Sequence, residues 1–231
     1  MEPYTSPNLL IIDQTPPVSE VKYADPMGGT DDVLYYGGAF KVTLSITDVN
    51  LDPADITVMD NGEVVSGLVW AQDANDPAVW TAVCTVSGEG EHILTMTAHD
   101  RAKNEMTPYT SPKILVIDQT APVINVIYAN TDVKNVIDGI SYFDREQTAT
   151  IEITEANFSA ENVTLTVTAK DVTGKDIATE DFLAALHDAQ KWSHENGKHT
   201  ITVRFPVEAN YTLSVACTDL ADRKAEDYAP D

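Results

Sequence analysis

Residues 1–24 (MEPYTSPNLLIIDQTPPVSEVKYA) and residues 106–129 (MTPYTSPKILVIDQTAPVINVIYA) are identical at 16 of 24 positions, at a constant offset of 105. A copied segment of this length makes the chain a tandem array of like units, and the chain is expected to be a piece of something longer. The segment straddles a boundary: PYTSP closes one unit, LLIIDQTPP or ILVIDQTAP links, and the next unit begins. The fold must therefore stack in series, with units of about 105–115 residues.

The match continues past the linker. Val42–Val58 (VTLSITDVNLDPADITV) corresponds to Ala149–Leu165 (ATIEITEANFSAENVTL), so Thr47, Asp48, Asn50 and Leu51 match Thr154, Glu155, Asn157 and Phe158. Near the end, His92–Ala102 (HILTMTAHDRA) matches Tyr211–Ala221 (YTLSVACTDLA). The offset has grown from 107 to 119, which places a 12-residue insertion in the second copy between Leu165 and Thr200. Within it, Thr179–His187 predicts one short helix: a Thr N-cap, acids in the first turn, and apolar Phe182, Leu183 and Leu186.

Elsewhere the period is two. Phe40, Val42, Leu44 and Ile46 alternate with Lys41, Thr43, Ser45 and Thr47; Ile201, Val203 and Phe205 do the same, as do Tyr211, Leu213, Val215 and Cys217. Short Val/Ile/Thr-rich runs separated by turns such as Asp60-Asn61-Gly62 and Val172-Thr173-Gly174 predict antiparallel strands. Roughly seven strands in about 100 residues is the size of an immunoglobulin-like domain. The expected fold is all-β: two immunoglobulin-like β-sandwiches in tandem, with a short helix inserted in the second. Residues 1–13 are expected to trail from a preceding repeat, 14–118 to form repeat 1, and 119–231 to form repeat 2. Thr15-Pro16-Pro17 and Thr120-Ala121-Pro122 restrict the linkers, because proline fixes φ and biases its predecessor toward extended backbone. With no Gly/Ser run between units, a semi-rigid rod is expected.

The chain has 37 acidic and 14 basic residues, a formal charge of −23. Such a surface repels nucleic acid and anionic lipid, so neither is an expected partner. No apolar run is long enough to cross a bilayer as a helix. Met1 opens directly onto a strand-end sequence, so the missing leader carries no information on location. Two cysteines fall on core-facing parities in different copies, Cys84 beside Ala82 and Val86, and Cys217 beside Leu213 and Val215. Both read as small buried hydrophobes rather than a disulfide.

Several motifs now stand together: the I-D-Q-T-x-P linker, the turn I-T-[DE]-x-N-[LF], Trp70 and Trp192 before the late strands, and the closing Tyr211–Ala221 run YTLSVACTDLA. The chain resembles, over essentially its whole length, the tandem Ig-like repeats of large surface proteins from Gram-positive gut and rumen bacteria. It departs from that pattern after the closing motif, where Gly-Asn usually follows; here Ala102-Lys103-Asn104 and Ala221-Asp222-Arg223 stand instead. The resemblance implies an extracellular, cell-surface or cell-wall location, a role as spacer or stalk, neighbouring repeats as partners, and no enzyme.

There is no Gly-rich phosphate loop, no G-x-S-x-G elbow and no H-E-x-x-H. His194 and His199 flank a turn with Glu195, but copy 1 supplies no equivalents, so a solvated hairpin is expected rather than zinc. A Lys–Asn isopeptide needs a buried lysine; Lys41 is off the core parity and Lys22 is replaced by Ile127 in copy 2. Trp70 and Trp192 correspond and read as core or core-edge residues, whereas Trp80, opposite His199, reads as a copy-specific contact. An adhesive surface on copy 2 would use Phe182, Leu183, Leu186 and Trp192. Asp48-x-Asn50-x-Asp52 is not an EF-hand, since Pro53 and Met59 occupy the places of the Gly and the Glu. Sandwich topology nevertheless gathers the start of the first strand and two turns at one end. That end holds Asp13, Asp48, Asn50 and Asp100 in copy 1, and Asp118, Glu155, Asn157 and Asp219 in copy 2. The expected role of these residues is turn capping, with no cofactor or metal assigned and calcium the one ion considered. The function expected is a non-catalytic extracellular spacer, against two rivals: an adhesin for a host glycoprotein or glycan, and an accessory domain of a secreted carbohydrate-active enzyme.

Overall fold

A computed structural model describes residues 10–129, 132–179 and 188–228. The chain divides into two units, Met1–Ile117 and Asp118–Asp231. The first contains β1 (Val18–Tyr23), β2 (Gly28–Gly29), β3 (Val33–Tyr36), β4 (Phe40–Thr47), β5 (Thr57–Asp60) and β6 (Glu63–Val64). It continues with β7 (Ala71–Gln72), β8 (Val79–Val86), β9 (Gly90–His92), β10 (Leu94–Thr97), β11 (Tyr109–Thr110) and β12 (Ile114–Ile117). One sheet has the order β1-β4-β8-β7 and another β11-β10-β5-β6. This is the A-B-E-D against G-F-C arrangement of an immunoglobulin-like sandwich. β12 runs parallel to β3 and antiparallel to β9, closing a third small sheet.

Period-two patterning explains the core. On β4, Phe40, Val42, Leu44 and Ile46 are buried, and Lys41, Thr43 and Thr47 are exposed. The inward rows of β4 and β8 meet Val58, Leu94 and Met96 from the other sheet in one cluster. Each such side chain stabilises by about 1.5–3 kcal/mol through burial. The two-residue turn Asn61-Gly62 has φ of 49° and 81°, the left-handed pair that a tight hairpin between β5 and β6 requires.

The second unit repeats the plan with β13 (Val123–Tyr128), β14 (Asn135–Ile137), β15 (Ile140–Tyr142), β16 (Gln147–Thr154) and β17 (Val163–Lys170). β18 (Asp176–Ile177), β19 (Ser193–Glu195), β20 (Lys198–Phe205) and β21 (Asn210–Cys217) complete it. Its sheets run β13-β16-β20-β19 and β18-β17-β21, enclosing Ile151, Ile153, Val163, Val203, Leu213 and Val215. The β14–β15 hairpin pairs with no other strand among the described residues.

Three expectations need comment. The helix expected over Thr179–His187 lies outside the described residues, apart from Thr179, whose hydroxyl donates to the Val167 carbonyl. Asp118 goes with the second unit rather than closing the first, and Asp13 goes with the first. The reason is local: Asn157 Nδ2 donates to Asp118 Oδ2, and Asn50 Nδ2 donates to Asp13 Oδ2, both at 2.6 Å. Third, His194 and His199 are not loop residues but paired strand positions across the β19–β20 hairpin.

Both cysteines are free and 1% exposed. Burial pushes both thiols up, Cys217 to about 12 with Asp219 and Glu155 adding to the shift. A thiol reagent at pH 8 should therefore modify the native protein slowly and two groups per chain at once in denaturant. Fast labelling of the native protein would contradict this core.

Candidate functional site

The acidic residues extend the core rows by one step. Ile151, Ile153 and Glu155 share a parity, as do Leu213, Val215, Cys217 and Asp219, so both carboxylates are carried inward as their strands end. Asp118 reaches the same place from just before β13. Asp118, Glu155 and Asp219 are 2%, 4% and 2% exposed, and each offers one oxygen lying within 4.8 Å of the others.

Each carboxylate caps its own turn. Asp118 Oδ1 accepts from the backbone N–H and hydroxyl of Thr120 at 3.0 and 2.8 Å. Glu155 Oε1 accepts from the Asn157 N–H, and Asp219 Oδ1 accepts from the N–H groups of Ala221 and Arg223, all at 2.8 Å. The expected capping is therefore present, and it engages one oxygen of Glu155 and one of Asp219. Gathering three buried carboxylates is electrostatically costly. Burial, then the charges of Asp118 and Asp219, push the Glu155 carboxyl above its ordinary range. Asp219 moves the same way, chiefly through burial and against its two backbone donors.

Unit 1 carries the same construction. Leu94, Met96, Ala98 and Asp100 form one inward row, and Val42, Leu44, Ile46 and Asp48 another. Asp13, Asp48 and Asp100 converge within the same 4.8 Å limit, although Asp13 is only half-buried. Asp13 Oδ1 accepts from Thr15, Asp48 Oδ1 from the Asn50 N–H at 2.7 Å, and Asp100 Oδ1 from the Asn104 N–H at 2.9 Å. Burial raises the Asp48 carboxyl, with Asp13 and Asp100 contributing; the hydrogen bond from Asn50 lowers that of Asp13. The copies differ at one decisive position. In unit 1, Asn104 Nδ2 donates to Asp100 Oδ2 at 2.7 Å and to the Asp13 carbonyl at 3.1 Å. In unit 2, Arg223 stands there; its Nε donates to the Asp118 carbonyl at 3.4 Å, and Asp219 Oδ2 has no hydrogen-bond partner.

One supporting contact escaped the sequence reading. His199 Nε2 donates to the Glu155 carbonyl at 2.7 Å, while its ring stacks on Phe158 at 4.1 Å between centroids. The Nδ1 atoms of His194 and His199 lie 2.6 Å apart, one donating to the other. His199 thus positions the turn that holds Glu155, and burial lowers its pKa. The only available signal was its alignment with Trp80, a change from aromatic to imidazole at one register position.

Burial places the tryptophans and the lysines. Trp80 is half-buried and packs against the core of unit 1, as does Trp70. Trp192 is 4% exposed and packs on Phe158, so it contributes nothing to a surface patch. Phe182, Leu183 and Leu186 lie outside the described residues. Lys41 and Lys22 are exposed, so neither has the buried amine that an isopeptide needs.

The chain matches no family model and no curated protein. It is similar to fibronectin(III)-like modules of CbhA from Clostridium thermocellum, at 15% identity over 91% of both chains and a TM-score of 0.34. It is also similar to an I-band fragment of titin, at 11% identity over 93% of this chain and 64% of that one, with a TM-score of 0.42. The tandem Ig repeats of Dlar match at 10% identity over 90% of this chain and 94% of theirs, with a TM-score of 0.27. All three scores fall below 0.5, and the immunoglobulin-like class rests on the strand order of each unit. The chain is an all-β tandem of Ig-like sandwiches.

Because folding raises the Glu155 pKa, its ionised form costs stability at pH values above the ordinary carboxyl range and nothing below it. In chelator at pH 7, Glu155→Gln should melt a few degrees above the wild type, and the advantage should shrink as pH falls toward 4.5. Melting curves at several pH values check this; a less stable variant at pH 7 would contradict it.

Proposed function

We propose that the chain is a non-catalytic part of an extracellular array of Ig-like units, serving as a spacer that holds a functional domain away from a bacterial surface. The observation that carries this reading is the fate of one repeated strand. In unit 1 the segment Ile114–Ile117 is β12, with Leu115 and Ile117 at 0% and 1% exposure. The same repeat segment at Leu10, Ile11 and Ile12 forms no strand and is 83%, 62% and 78% exposed. Within this chain, the place that such an apolar strand takes is inside a unit of this kind, beside β3.

The hairpin β14–β15 supports the same reading from the other side. Its counterpart β3 is covered by β12, and Tyr35 and Tyr36 are buried there. In unit 2, Val136, Ile137, Ile140 and Tyr142 are exposed. Unit 1 is completed by the strand that follows its closing motif, an arrangement suited to concatenation. Such an array projects by length and stiffness rather than by chemistry, and the proline-containing links support stiffness.

Matched substitutions test this. Leu10→Asp and Ile12→Asp should leave stability within about 0.5 kcal/mol of the wild type. Leu115→Asp and Ile117→Asp, at the same repeat positions, should destabilise unit 1 by about 4 kcal/mol or more, as a buried unpaired charge does. Equal effects at both places would refute the shared-strand argument. Saturable binding of the chain to an immobilised host glycoprotein or glycan would replace the spacer role with the adhesive one.

A further inference from the structure

We propose that Asp118, Glu155 and Asp219 of unit 2 bind a calcium ion. A cluster of acids is by itself no site, since acids that cap turns gather without ligands. The decisive feature is Asp219 Oδ2: a carboxylate oxygen on a residue 2% exposed, with no hydrogen-bond partner, in a group whose oxygens converge within 4.8 Å. The other oxygen, Oδ1, is already held by the Ala221 and Arg223 amides, so Oδ2 is the atom left for a ligand. A buried charged oxygen without a donor bears the full cost of its lost hydration unless something positive meets it.

The internal repeat acts as a control built into the molecule. Where unit 1 puts the Asn104 amide on both the Asp13 carbonyl and the matching Asp100 Oδ2, unit 2 has Arg223, whose Nε keeps the carbonyl contact, to Asp118, while Asp219 Oδ2 receives no hydrogen bond. The donor has been withdrawn from that oxygen alone. Three carboxylates and one guanidinium sum to a formal −2 (−3 + 1), which a divalent cation neutralises.

The chemistry of the donors selects the ion. All are oxygens, which disfavours zinc. Magnesium demands near-ideal octahedral geometry and keeps its waters, whereas calcium accepts six to eight irregular oxygens. Asn157, which now donates Nδ2 to Asp118 Oδ2, can turn its amide to offer Oδ1 once a cation is there. His199, by holding the Glu155 carbonyl, keeps that arm of the site in place.

The proposal is independent of the spacer reading and is tested on the full chain after chelator treatment. Calorimetric titration and melting curves are recorded with calcium, and with magnesium at equal concentration, because any divalent ion screens a chain of charge −23. Calcium at a hundredfold excess over its Kd should raise one melting transition by on the order of 10 °C, with magnesium giving at most a small shift. Asp219→Asn and Glu155→Gln should abolish the calcium-specific shift and the binding heat while retaining a β-sheet circular dichroism spectrum; Asp100→Asn should retain both. Equal shifts with the two ions would overturn the proposal and leave the acids as turn caps only. A calcium-specific shift that persists in folded Asp219→Asn, or is lost in folded Asp100→Asn, would overturn it too.

Discussion

Parity along the inner strands governs this molecule. A strand buried on one face must alternate, and β4, flanked on both sides by β1 and β8, can carry only apolar residues on its inward row. The row does not stop where the hydrogen-bonded ladder stops. Asp48, Glu155, Asp100 and Asp219 each stand two residues past the last apolar member of an inward row, and so inherit its direction. Burial of these acids follows from the same alternation that builds the core.

That placement creates a problem which the turns solve only in part. A carboxylate facing inward must find donors, and the nearest are the N–H groups of the turn it begins. Asn50 and Asn157 carry the solution across to the segment before the first strand, tying Asp13 and Asp118 into their units. The capping network thus ties the segment before the first strand to each unit.

Completion of each unit obeys a different constraint. β12 joins parallel to β3 although the two are far apart in sequence, and it leaves unit 1 without an exposed apolar edge there. Unpaired strand edges invite association, and proteins cover or charge them. A repeat whose covering strand lies after its closing motif passes that task along the array.

The duplicated segment, the period-two rows and the turn residues determined the tandem, the all-β class and the free buried cysteines, because burial on one face of a strand leaves its mark at every second residue. They also brought Asp118, Glu155 and Asp219 to the same end, since strand order alternates direction. Only the tertiary structure decided that Trp80 packs inward and that His199 holds the Glu155 turn. Those depend on which side chains meet across sheets, a matter of distance in space with no periodicity to record it. The unpartnered oxygen of Asp219 is of this second kind: Arg223 keeps the contact to the carbonyl of Asp118 that Asn104 makes to that of Asp13, but gives no hydrogen bond to the carboxylate, and only the geometry in space shows this.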